Sequence, residues 1–163
     1  MDFWAIALVA LMAALTPTTA AAALKGRPKV VLDQLEFPND LPQAPLYKAH
    51  LKKTLAKVTR HADWGAGRKN RIEYRFFVTE LSLTEQDGVL RVRCAAVGKL
   101  PKGKTAKSKL TFSGEPSKRN DLVKRVLEIV ARGVITRLSE LERVRRGDIG
   151  EAGVRAPRSD QTD

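Results

Sequence analysis

The sequence is organised around one long amphipathic segment, Asn120–Arg146. Its apolar residues recur at steps of three and four, which places them along one stripe of an α-helix. They are Leu122, Val126, Ile129, Val130, Val134, Leu138 and Leu141. Asn120 or Ser117 is suited to cap the start of this helix, and Gly147 is a stop signal after its last turn. Such a stripe has to be buried, and the three strand-like segments before it are the expected partner.

One helix and four strands are predicted ahead of that segment. In order, they are a strand at Val30–Phe37, a helix at Pro45–Asp63, and strands at Arg71–Gln86, Val89–Leu100 and Thr105–Ser113. Asp87-Gly88 is a strong hairpin signal, and a change of phase near Thr79-Glu80 predicts a β-bulge. The order β-α-β-β-β-α predicts an α+β fold with a mostly antiparallel four-stranded sheet and two helices on one face.

The first predicted strand is short, and its faces are assigned by alternation alone. Val31, Leu35 and Phe37 are expected on one face and Leu32 on the other. This assignment assumes an unbroken period of two along the strand.

The N-terminal residues have the pattern of a secretory signal peptide. An apolar run, Phe3–Leu15, precedes the small residues Ala20–Ala23, so cleavage is expected between Ala20 and Leu24. The segment before the run lacks Lys and Arg, so an uncleaved membrane anchor or a buried helix stays open. No cysteine follows the run, and no lipid anchor is expected. The predicted division is 1–23 signal peptide, 24–29 linker, 30–146 single domain and 147–163 disordered tail.

The composition is strongly basic. Lys and Arg number 30 against 18 acidic residues, which gives a net charge of +12. This excess favours anionic partners such as lipid headgroups, nucleic acid or other polyanions, although it also serves solubility. Aromatic residues are only 6% of the chain, which argues against binding of single strands by base stacking.

The candidate ligand-binding residues lie on the face of the sheet turned away from the helices. Alternation places Arg91 and Arg93 there from one strand and Lys107 and Lys109 from its neighbour, and the turn adds Lys99, Lys102 and Lys104. If the register is near symmetric these cations cluster, and they are then suited to hold phosphates by charge-assisted hydrogen bonds. The alternative interpretation is a solvated face whose edge lysines prevent aggregation.

The sequence carries no catalytic signature. No serine elbow, phosphate-binding loop or dinucleotide fingerprint is present. His50 and His61 share the first helix but lie about 16 Å apart, too far to bind one metal, and Cys94 is expected to be a buried structural thiol. No catalytic residue, cofactor or metal site is therefore predicted, and an enzyme whose site is invisible in sequence is a secondary alternative.

From Val30 to Arg146 the chain resembles the lipopolysaccharide-assembly lipoprotein that plugs the outer-membrane translocon. The resemblance is one of element order: Lys29–Leu55 is similar to its opening, and the Leu100-Pro101-Lys102-Gly103 turn and closing helix to its second half. It implies a periplasmic, non-enzymatic subunit that binds an anionic glycolipid and docks inside a barrel. The chain departs from the family in lacking the cysteine that carries its lipid.

Residues Pro45–Leu141 also resemble the double-stranded-RNA-binding domain in their α-β-β-β-α order. Ser117-Lys118-Arg119 is similar to that family's basic helix start, which contacts phosphates across the groove. The family's Lys-Lys-x-Ala-Lys run is absent. The interpretation favoured is an exported protein, periplasmic or secreted, that binds an anionic envelope component or an outer-membrane complex. RNA binding is the alternative.

Overall fold

The computed structural model describes residues 26–67 and 71–147. Its elements are β1 (Lys29–Glu36), α1 (Ala44–His61), β2 (Arg71–Gln86), β3 (Val89–Lys99), β4 (Thr105–Gly114) and α2 (Arg119–Arg145). The predicted β-α-β-β-β-α order is confirmed. Within the described residues, no helix is long and apolar enough to cross a membrane. The predicted signal peptide and most of the predicted tail lie outside those residues.

The four strands form one sheet in the order β1-β2-β3-β4. β1 runs parallel to β2, which it reaches through α1, and β2, β3 and β4 form an antiparallel meander. Asp87 and Gly88 both have positive φ, as the two-residue hairpin turn between β2 and β3 requires. The predicted bulge is confirmed, since the register shifts between Val78 and Glu80.

The face assignment predicted for β1 was wrong for its first half. Val30 and Leu32 pair with Ile72 and Tyr74, whose side chains are buried in the core, so Val31 lies on the opposite face. The register then shifts between Leu32 and Gln34. Because a bulge adds one residue to a strand, it reverses the alternation. Leu35 and Phe37 therefore do face the core, as predicted.

Helix α2 is buried on two sides, since it packs against β3 and β4 and also against α1. The buried arc is therefore wider than the predicted stripe and includes Leu127 and Ile135. Ile129 was predicted to be in the stripe but is 42% exposed, because the arc extends away from it. The predicted cap was also wrong: no side chain caps α2, and Asn120 instead accepts a hydrogen bond from the hydroxyl of Tyr47 at 2.7 Å.

The helix layer lies close to the sheet at Gly98 on β3. A Cβ atom at this position would lie 2.5 Å from Cγ1 of Val134 and 2.6 Å from Cδ1 of Leu138. Both side chains are fully buried. The missing side chain therefore makes room for α2, and the residue paired with Gly98 on β2 is the buried Phe76.

The C-terminal end of α2 is held by a buried carboxylate. Glu142 accepts hydrogen bonds from Nε and Nη2 of Arg145, at 2.8 and 2.7 Å, and from Nε of Arg146 at 2.9 Å. Arg146 also donates to the carbonyl oxygen of Ala66 at 2.8 Å, and Arg143 pairs with Asp63. The last turn of α2 therefore fixes the loop that follows α1.

Glu142→Gln is expected to lower the free energy of unfolding at pH 7 by about 1 to 3 kcal/mol, because Arg145 and Arg146 both lose a charged acceptor. Burial acts to raise the pKa of Glu142, but the hydrogen bonds from Arg145 and Arg146 outweigh it and hold the pKa below its ordinary value. The stabilisation by the ionised Glu142 is fully present above the pKa of about 4.3 that a glutamate has in the unfolded chain. It is lost as pH falls through the lower pKa of Glu142 in the folded protein.

Urea unfolding of Glu142→Gln and the parent protein between pH 3 and pH 7 checks this expectation. Glu140 is only partly buried, and the Glu140→Gln variant, which loses an i,i+3 pair with Arg137, is the matched control. It is expected to cost about 0.5 kcal/mol or less. A difference for Glu142→Gln that stays constant down to pH 3 would contradict the account.

Candidate anion-binding sites

Strands β3 and β4 carry five cations and no carboxylate on their outer face. We call this set the basic strip: Arg91, Arg93, Lys99, Lys107 and Lys109. All five are exposed, while the alternate residues of the same strands contribute to the core. The outer-face location predicted for Arg91, Arg93, Lys107 and Lys109 therefore agrees with the structure, and Lys99, predicted at the turn, joins them as the last residue of β3.

The register arranges the basic strip as a continuous track and not as a compact cluster. Arg93 pairs with Thr111, so Lys109 is its diagonal neighbour, and Lys99 pairs with Thr105, so Lys107 is its diagonal neighbour. Diagonal neighbours lie about 7 to 8 Å apart. Arg91 and Lys99, at the two ends, are separated by about 27 Å along β3.

The carboxylates of the outer face belong to β1 and β2. Asp33 pairs with Arg75 at 2.9 Å, and Glu80 pairs with Arg93 at 2.9 Å. Lys99 lies over the ring of Phe77, 4.9 Å from its centroid. Among the described residues, no carboxylate forms an ion pair with Arg91, Lys107 or Lys109.

Mutual repulsion within the basic strip is tolerable in water. Two unit charges about 7 Å apart in water repel by about 0.6 kcal/mol. Neighbouring cations lie within the Debye length of about 8 Å at physiological salt, so their potentials add. The strip is therefore an extended cationic surface that an array of anions would neutralise.

A second candidate site is a groove of about 580 Å³ between the outer edge of β1 and helix α1. Its apolar lining consists of Pro28, Val30, Val31, Leu32, Ala56, Ala62, Trp64 and Tyr74. Arg27, Lys52 and Arg60 also line it, all three exposed. No carboxylate is among the described lining residues.

The inner wall of the groove is fixed by hydrogen bonds between its own members. Trp64 and Tyr74 stack with ring centroids 6.2 Å apart. The indole N–H donates to the carbonyl oxygen of Thr59 at 3.0 Å, and the Thr59 and Tyr74 hydroxyls lie 2.9 Å apart. Burial raises the pKa of Tyr74, and the hydrogen bond with Thr59 only partly offsets this. These polar groups are therefore already satisfied within the wall.

The cysteine and the two histidines considered as candidates in the sequence are each buried or close to a polar partner in the fold. Cys94 is fully buried, and burial, with a smaller effect of the Glu80 charge, raises its pKa to about 12, which makes it a poor nucleophile. Nδ1 of His61 lies 2.7 Å from the carbonyl oxygen of Lys57, and Nε2 of His50 lies 3.0 Å from a Glu128 oxygen. No group of three metal-ligating side chains occurs in the described part of the chain.

Sequence reasoning did not identify the groove. The one available signal of the groove was the helical spacing of its lining residues on α1, which are Lys52, Ala56, Thr59 and Arg60. The opposite wall comes from β1 and from the segment before it, which lie twenty or more residues away. Their position relative to α1 depends on the parallel crossover, which the residue pattern does not specify.

No family model matches the chain, and no curated protein matches it. Among solved structures, similar chains include a protein described as a lipoprotein from Caulobacter crescentus CB15, with 11% identity over 78% of this chain and 96% of the other, and a TM-score of 0.44. A PelC dodecamer from Paraburkholderia phytofirmans has 12% identity over 68% and 88%, with a TM-score of 0.39. A minor lipoprotein from Acinetobacter baumannii has 14% identity over 72% and 92%, with a TM-score of 0.33.

Proposed function

We propose that the chain is an exported, non-enzymatic protein of the cell envelope that binds an anionic membrane surface through the basic strip. The observation that carries this proposal is the composition of β3 and β4, which present five cations and no carboxylate on one open face. The N-terminal signal-peptide pattern supports the location. Envelope membranes supply arrays of lipid phosphates, which suit an extended row of cations.

Protection of an edge strand against aggregation does not account for the basic strip. Lysines on an edge serve that purpose, and Lys107 and Lys109 lie on β4, which is at an edge of the sheet. Arg91, Arg93 and Lys99, however, lie on β3, which is paired on both sides. Arg93 pairs with Glu80 and Lys99 lies over the ring of Phe77, whereas Arg91 forms no ion pair with the described residues. An anionic partner would supply the counter-charge that Arg91 lacks.

The outer face suits a broad partner better than a small enclosed anion. The positions paired with Arg91 and Arg93 on β4 are Ser113 and Thr111, and Lys109 is paired with Ala95. These short side chains leave the cations as the outermost groups. A membrane surface can contact all of them at once, whereas a single phosphate can reach two or three.

The test is flotation of the protein, purified as cells process it, with vesicles of phosphatidylglycerol or of phosphatidylcholine. We expect binding to the anionic vesicles that weakens steeply as salt rises, and little binding to the neutral vesicles. A duplex RNA of about 20 base pairs serves as the competing ligand, long enough for the roughly 16 base pairs that a double-stranded-RNA domain spans. Equal binding to both vesicles, or tighter binding to the RNA, would overturn the proposal.

A further inference from the structure

We infer that the groove between β1 and α1 binds a single-chain anionic amphiphile, with the acyl chain on its apolar lining and the charged head at Arg27, Lys52 and Arg60. This site lies at the β1 edge of the sheet, whereas the basic strip lies on β3 and β4 at the other side. The inference therefore stands independently of the proposed membrane contact.

The size and lining of the groove suit an acyl chain. Its volume of about 580 Å³ falls within the range of about 300 to 1,000 Å³ that is typical of small-molecule sites. Its walls are aliphatic on the strand side and aromatic on the inner side, where Trp64 and Tyr74 are buried and stacked.

Each polar group of the inner wall already has a hydrogen-bond partner within the wall. The indole N–H of Trp64 is used by the carbonyl oxygen of Thr59, and the Thr59 and Tyr74 hydroxyls bond to each other. A ligand rich in hydrogen-bonding groups would lose its water here without replacement partners, which is costly. A methylene chain has no such requirement.

The three cations favour an anionic head group at the rim. Nη1 of Arg27 lies 3.4 Å from the carbonyl oxygen of Arg60, in the last turn of α1. That helix end carries a partial charge of roughly −0.5, which three full positive charges outweigh. The nearby carboxylate of Asp63 is engaged by Arg143 at 2.9 Å. The net potential at the rim is therefore positive.

Fluorescence of Trp64 tests the inference directly. The chain has two tryptophans, so Trp4→Phe leaves Trp64 as the only one whether or not the leader is removed. In this background the protein is titrated with dibromostearic acid, whose bromines quench an indole in contact with them. The methyl ester of the same acid is the uncharged probe.

We expect saturable quenching by the acid and weaker binding of the ester. Ala56→Phe fills the groove from α1 and is expected to abolish quenching. Lys52→Gln with Arg60→Gln is expected to weaken binding by about tenfold, as for two exposed charge contacts. Lys48→Gln with Lys53→Gln removes the same charge from α1 outside the groove and is the matched control.

Quenching that persists in Ala56→Phe, with that variant folded by circular dichroism, would overturn the inference. An equal loss of affinity in the two double variants would also overturn it, because net charge and not the groove would then explain binding. Failure of the vesicle experiment leaves these outcomes unchanged, since the basic strip is intact in every variant used here.

Discussion

Replacing Arg91, Lys107 and Lys109 together with glutamine is expected to weaken binding to anionic vesicles by on the order of 100-fold, since each cation near such a surface contributes about 1 kcal/mol. These three residues make no ion pair with the other described residues, so their charge is available to a partner. Because their side chains are exposed on the outer face, thermal stability is expected to change little. Vesicle flotation at fixed salt measures the effect.

The matched control removes three cations from helix α1. Lys48, Lys53 and Lys57 are exposed, and their replacement by glutamine changes the net charge by the same amount. We expect this control to retain affinity within about a few-fold, because distant charges are screened beyond about 8 Å. If the α1 variant loses binding and the β3–β4 variant keeps it, the membrane contact lies on α1 and the account is wrong.

Phe76→Ala is expected to lower the free energy of unfolding by about 3 to 5 kcal/mol, the usual cost of truncating a buried aromatic residue. Phe76 is fully buried in the core and is paired with Gly98, above which Val134 and Leu138 pack. Its removal leaves a cavity that a glycine on the next strand cannot fill. Urea unfolding followed by circular dichroism measures the loss.

Phe77→Ala is the matched control, because Phe77 is the next residue on the same strand and faces the outer side. It is partly exposed and contacts Lys99, so its replacement is expected to cost about 1 kcal/mol. Similar losses of stability for both variants would mean that Phe76 does not lie on a buried face of β2 and Phe77 on an outer one. A larger loss for Phe77→Ala would reverse the assignment of the faces.

The meander and its register were predictable because their signals are local. Asp87-Gly88 specifies a two-residue turn, and a hairpin turn determines the pairing of the strands that it joins. The phase change near Thr79-Glu80 is visible as a switch in alternation, so the bulge was predictable too. The positions of Arg91, Arg93, Lys107 and Lys109 on the outer face follow from this local pattern.

The features that were not predictable depend on contacts between distant segments. Nothing in the sequence near Asp33 marks a bulge, so Val31 and Leu32 were assigned to the wrong faces. The exposure of Ile129 follows from the packing of α1 on one side of α2, which the period of α2 alone does not reveal. The groove requires that Arg27 and Arg60 meet, and this depends on where the parallel crossover places α1.

The most direct test of the central claim, that this protein acts in the cell envelope, is its location and its first residue. Cells that express a C-terminally tagged chain are fractionated, and the N-terminus is read by mass spectrometry. We expect a periplasmic protein that begins between Ala21 and Lys25. An intact Met1 in the cytosol would contradict this expectation and would make nucleic acid the partner to test for the basic strip.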